Sequence, residues 1–183
     1  MHSFKLLLVL IFLFGGCSLT PPPTFSLKKS TTKIEQLSKM IIDLNKTIDR
    51  FEAKDIASKA VNYSKELAYR YKVVSPPLWH NTLVNLGIRK RGLCYEWAED
   101  LLIYLSKQRY KTVQFYMVGA SIGSYFEHNA LAISAKGSSW VHSIILDAWR
   151  NSGDLYFNYI QKDKYKWKNR EEVYNKVLNL PPH

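Results

Sequence analysis

Cysteine is nearly absent from this chain: among 183 residues only Cys17 and Cys94 carry a thiol. That is too few for a disulfide framework. The sites Cys94, His128 and His142 lack local metal-ligand spacing, so neither zinc nor any other metal is expected. Glycine is sparse as well, with eight residues, and none of them forms a phosphate-cradling loop; Gly119 and Gly123 read as turn residues, and no cofactor is expected. The apolar run Leu6 to Phe14 is too short to span a bilayer. Acidic residues are outnumbered, 15 against 26 basic, for a net charge of +11. What the chain does have is 46% hydrophobic residues, which at this length supports one domain with a sizeable core, here with a tether ahead of it.

The first residues read as a targeting segment. Lys5 supplies the positive charge, Leu6 to Phe14 the apolar region, and Gly15 and Gly16 the small residues before Cys17. Phe14-Gly15-Gly16-Cys17 resembles the bacterial lipobox, with Phe in place of the usual Leu at its first position. The resemblance implies cleavage before Cys17, so that residues 1–16 are a signal peptide and the Cys17 thiol carries lipid. It implies a cell-envelope protein, and Ser18 rather than Asp after the cysteine points to the outer membrane, facing the periplasm. A plain secretory signal or an uncleaved anchor is the competing reading. Residues 17–31, with Pro21-Pro22-Pro23 and several Ser and Thr, read as a spacer. Without its signal the chain holds 25 basic and 15 acidic residues. Outside the cytoplasm such a surface faces anionic lipid, lipopolysaccharide or cell-wall polymer, and nucleic acid is not an expected partner.

The domain is expected over residues 32–183. Thr32-Lys33-Ile34-Glu35 has the capping-box pattern, and Ile34, Leu37, Ile41, Leu44, Ile48 and Phe51 follow at helical spacing. That stripe is short for a coiled-coil dimer and is expected to pack on its own domain. A second helix is read through Ile56, Ala57, Ala60, Val61, Ser64, Leu67, Ala68 and Tyr71, with a break near Glu52 to Asp55. Pro76-Pro77 suits the first turn of a third helix, which stops at Gly87.

The stretch Arg91 to Lys107 carries the chemistry. Gly92 precedes a helical pattern in which Cys94, Trp97, Ala98, Leu101, Leu102 and Leu105 share one face. Cys94 falls in the first turn, where unpaired N–H groups and the positive end of the helix dipole favour a thiolate. Two readings stand: a nucleophile, or a small buried apolar residue. The acids Glu96, Glu99 and Asp100 suit the dipole but oppose a thiolate by like charge.

Past this helix the period changes to two. Strands are read over Val113 to Val118, Phe126 to Ala135 and Trp140 to Trp149, with Leu155 to Ile160 as a fourth. A symmetric turn at Gly137-Ser138 pairs residues whose numbers sum to 275, which sets His128 opposite Asp147. Directly opposed Cβ atoms are about 4.5 to 5.5 Å apart, within reach of an imidazole–carboxylate hydrogen bond. The His128 face, with Ala130, Ala132 and Ser134, is small enough for a helix to approach; the Leu131 and Ile133 face reads as core.

Cys94, His128 and Asp147 therefore supply a nucleophile, a base and a residue to orient the base. As separate residues, His128 also reads as a core histidine and Asp147 as a turn cap. The segments Arg91-Gly92-Leu93-Cys94-Tyr95-Glu96-Trp97-Ala98, Glu127-His128-Asn129-Ala130 and Ile145-Leu146-Asp147-Ala148 resemble the nucleophile, histidine and aspartate segments of bacterial transglutaminase-like proteins. The resemblance covers about residues 75 to 160. It implies an α+β, papain-like core in which N-terminal helices and the nucleophile helix pack on a small antiparallel sheet, and a Cys-His-Asp triad working through a thioester. Leu93 stands where true transglutaminases often have Gln, so hydrolysis of an amide, in a protein or cell-wall peptide, is favoured over crosslinking. The Cys94 N–H and the Trp79 indole are candidates for holding the oxyanion, and His80 is a rival base. The competing class is a non-catalytic envelope lipoprotein that uses the same fold for binding or assembly.

Overall fold

The computed structural model describes residues 27–180; Cys17 and the expected signal peptide lie outside them. Helix α1 spans Leu27–Ile42 and α2 spans Arg50–Arg70. The first helix begins ahead of the Thr32 cap read from the sequence, and residues 27–31 belong to it, not to a spacer. Lys29 pairs with Asp154 at 2.8 Å, and Lys33 bonds both Asp154 and the Leu155 carbonyl, so this end of α1 is fastened to the sheet loops. The break between the helices falls at residues 43–49, not near Glu52. Asp49 accepts the Glu52 N–H at 2.8 Å and starts α2. The apolar period misled here because Ile48 is buried from the loop while Phe51 is exposed.

Pro76 and Pro77 open α3, Pro77–Asn85, and Gly87 ends it with φ +73. Helix α4, which carries Cys94 at its start, is Cys94–Ser106. Five antiparallel strands follow: β1 Val113–Ala120, β2 His128–Ala135, β3 Ile144–Asp147, β4 Tyr156–Tyr159 and β5 Lys168–Asn169, in the order β4-β3-β2-β1-β5. Helix α5, Glu171–Val177, closes the described chain. The architecture is α+β, with five α-helices among the described residues and one antiparallel sheet.

Helices α1, α2 and α4 cover one face of the sheet. Trp97, Leu101, Leu102 and Leu105 of α4 join Leu37, Ile41, Ile56 and Leu67 with Met117, Leu131, Ile133 and Leu146 in one core. Burying side chains of this size contributes about 1.5 to 3 kcal/mol each. The opposite face carries a smaller cluster, Val118, Ala130, Ala132 and Ile145, covered by Ile160 and Trp167 from the C-terminal segment. Every residue of β2 is buried as a result. Helix α4 thus lies on the Leu131 and Ile133 side and not on the small-residue side; the large residues give the helix more area to bury.

The β2–β3 register also differs. Leu131 pairs with Leu146 and Ala132 with Ile145, so partner numbers sum to 277 and not 275. Residues Trp140–His142 form a 3-10 turn instead of strand, which makes the connection asymmetric. A shift of two preserves parity, so His128 and Asp147 stay on one face.

Candidate active site

Cys94 is the first residue of α4, and three side chains fix the backbone just before it. The Glu96 carboxylate accepts the N–H groups of Gly92 at 2.6 Å and Leu93 at 3.0 Å. The Trp97 indole donates to the Gly92 carbonyl at 2.9 Å. His80, buried, accepts the Val74 N–H through Nδ1 at 3.3 Å and donates from Nε2 to the Arg91 carbonyl at 2.9 Å. Gly92 has φ +130, and a Cβ there would lie 2.2 Å from His80 Nε2. Glycine is required at position 92 on both counts. His80 braces this loop, and its burial pulls its pKa below the usual range; both nitrogens are engaged, which removes it as a rival base.

Two acids of this helix, Glu96 and Asp100, are committed elsewhere. Glu96 caps the loop as described. Asp100 accepts from Arg91 at 3.0 Å and from the Tyr71 hydroxyl at 2.5 Å. The N–H groups of Cys94 and Tyr95 have no hydrogen-bond partner among the described residues, as expected of the first turn.

His128 opens β2. Its Nε2 is 2.7 Å from Asp147 Oδ2, with both side chains almost fully buried. Asp147 sits diagonally from His128 on the neighbouring strand and spans the offset left by the register shift. Its other oxygen accepts the Arg150 N–H at 3.0 Å, so Asp147 caps the following turn as well as holding the ring. Arg150 Nε lies 2.9 Å from Asp147 Oδ2, and its Nη1 is 2.9 Å from Asp163 Oδ2. Burial opposes the charge on Asp163, yet Arg150 and the Tyr165 N–H hold its carboxyl below the usual range.

The imidazole is walled by Trp149, Tyr165 and Trp167, with ring centroids 4.8, 4.9 and 5.4 Å away. Its Nδ1 is buried without a hydrogen-bond partner among the described residues. Burial works against a charged ring here; the hydrogen bond and charge of Asp147, with the Cys94 sulfur beside the ring, outweigh it and raise the His128 pKa to about 9. The Cys94 thiol itself donates to the Glu127 carbonyl at 3.7 Å, a long contact that marks where sulfur meets the start of β2. Cysteine, histidine and aspartate are thus brought together at the end of β2, with the imidazole on the face opposite the main helix layer.

Trp79 is half-exposed, and no contact joins its indole to Cys94, His128 or Asp147. His142 is exposed and lines a separate cleft of about 580 Å³ with Tyr159 and Lys162. Neither that cleft nor a second of about 520 Å³ near Arg89 opens onto Cys94, which is 8% exposed. Sequence reasoning missed Arg150, Asp163, Tyr165 and Trp167. The available signal was the alternation of Tyr165 and Trp167 with charged residues, which puts both rings on one side of an extended segment.

Among the described residues no group of three or more His, Cys, Asp or Glu is arranged to hold a metal, and no helix is long and apolar enough to cross a membrane. Compared with family models, curated proteins and solved structures, the chain has no match, so the site stands on its own geometry.

Proposed function

We propose that this protein is a cysteine-dependent amide hydrolase or acyl transferase on a papain-like, transglutaminase-like core, anchored to the cell envelope by lipid on Cys17. The observation that carries the reading is His128: one ring nitrogen is bonded to Asp147 at 2.7 Å, while the other is buried without a partner and the pKa is raised in part by Cys94.

In this reading the Cys94 thiol passes its proton to His128 Nδ1 as the sulfur attacks the carbonyl carbon of an amide, and the carbonyl electrons move to oxygen. First-turn N–H groups of α4 face that oxyanion. Protonated His128 gives its Nδ1 proton to the leaving nitrogen, the C–N bond breaks, and a thioester remains on Cys94. Water then loses a proton to His128 as it attacks the thioester, and the carboxylic product leaves with sulfur restored. An amine in place of water gives a new amide. Asp147 keeps the ring oriented, and Arg150 holds Asp147 in place through its N–H and Nε.

The test is alkylation. Cys94 reacts with iodoacetamide near pH 7 in the folded protein at least about tenfold faster than in His128→Ala. Equal and slow reaction in both refutes the triad. One observation favours a second reading, a binding or assembly protein that keeps the fold without catalysis: the thiol is nearly buried, and neither the cleft at His142 nor the one at Arg89 leads to it.

A further inference from the structure

A second cleft, about 520 Å³, lies behind the loop that carries Gly92, between residues 70–72 and 88–91. Five cations line it, Arg70, Lys72, Arg89, Lys90 and Arg91, against one carboxylate, Asp100. Two of the five are already neutralised: Arg70 pairs with Glu66, and Arg91 with Asp100 at 3.0 Å and Glu96 at 3.9 Å. Lys72, Arg89 and Lys90 have no carboxylate partner among the described residues. Arg89 is held in place, since its Nε donates to the Lys72 carbonyl at 3.2 Å and Nη1 to the Ile88 carbonyl at 3.3 Å. Tyr71 and the exposed Ile88 give the cleft an apolar wall beside these charges.

Three cations without a carboxylate partner line one concave site, and an anion bound there offsets their mutual repulsion. A phosphate group matches this arrangement: it spreads charge over several oxygens, which the Arg89 guanidinium and the Lys72 and Lys90 ammonium groups approach from different sides. We infer that the cleft between residues 70–72 and 88–91 is a binding site for a phosphate-bearing anion, either a phospholipid headgroup or a soluble phosphate. The apolar wall accommodates carbon attached to the phosphate. The site is separate from the Cys94 thiol and does not require its chemistry.

The experiment uses the full chain in neutral detergent micelles and two probes, inorganic pyrophosphate and phosphatidylglycerol doped into the micelles, with phosphatidylcholine as the neutral reference. Binding is read by calorimetry in the parent chain, Cys94→Ser, Lys72→Gln/Lys90→Gln, and Lys46→Gln/Lys54→Gln. The last pair removes the same charge from exposed positions away from the cleft. The parent and Cys94→Ser bind alike, Lys72→Gln/Lys90→Gln binds about tenfold or more weakly, and the control pair stays within about twofold. Binding of pyrophosphate alone assigns the site to soluble phosphate, and preference for phosphatidylglycerol over phosphatidylcholine assigns it to a headgroup. Equal losses in the two lysine pairs, or no binding of either probe, overturn the proposal. Circular dichroism of the cleft variant confirms that it is folded, and failure of the Cys94 alkylation test leaves this result untouched.

Discussion

His128 Nε2 and Asp147 Oδ2 stand 2.7 Å apart although the two residues are not ladder partners. The carboxylate reaches the ring across a diagonal, and Arg150 keeps it there. Asp147→Asn is expected to slow alkylation of Cys94 at least about tenfold, because the amide no longer supports the protonated ring. It is also expected to lower stability by about 3 kcal/mol, since Arg150 loses one of two buried carboxylates. Urea unfolding and alkylation kinetics check both; a variant that is fully stable and fully reactive contradicts the assignment.

His128 makes folding depend on pH in a definite direction. Its pKa is raised from 6.5 to about 9, so the folded protein binds this proton more tightly than the unfolded chain. The stabilisation is complete below about pH 6.5 and is lost as pH rises through about 9. The stability difference between the parent and His128→Gln is expected to stay level at acid pH and to shrink by on the order of 2 to 3 kcal/mol by about pH 10. A difference that widens with pH would reverse the sign.

Gly92→Ala places a Cβ 2.2 Å from His80 Nε2 on a backbone with φ +130. A loss of about 3 kcal/mol is expected. Adding His80→Ala removes the clash but not the backbone strain, so the double variant is expected to lose less than the sum of its parts. Additive losses in thermal unfolding would mean that the two groups do not meet.

Glu127 pins the segment over the thiol. Its carboxylate accepts from Gly123 N–H at 2.8 Å and Arg170 Nη1 at 2.8 Å, and its carbonyl receives the Cys94 thiol. Glu127→Ala is expected to cost about 1 kcal/mol and to speed Cys94 alkylation by roughly three- to tenfold as the segment opens more often. An unchanged rate would show that residues 121–127 do not control access.

Cys17→Ser tests the proposed anchor. Loss of processing, or release from the membrane fraction, is expected; unchanged fractionation and unchanged mass rule out lipid on Cys17.

The sequence made the Cys94 helix legible because Gly92, the first-turn thiol and the three-and-four spacing of Trp97, Leu101 and Leu105 all agree. Strand parity put His128 and Asp147 on a shared face, and parity survived the register error caused by the 3-10 turn at Trp140–His142. The start of α1 was misread because the Thr32-to-Glu35 capping pattern falls inside the helix, and the break before α2 because apolar spacing runs on through Ile48, where the chain has already left the helix. Arg150, Asp163, Tyr165 and Trp167 were missed for a different reason: they reach the imidazole through tertiary folding, and the alternation that sets Tyr165 and Trp167 on one side does not say what the rings cover.

The two-residue strand β5 lies along the outer edge of β1, and the segment before it brings Tyr165 and Trp167 over His128. A protease cut near residue 161 would therefore do two kinds of harm in a single event. It would admit solvent to the imidazole, and it would strip β1 of its hydrogen-bonded neighbour, leaving a bare strand on which further copies of the chain could stack.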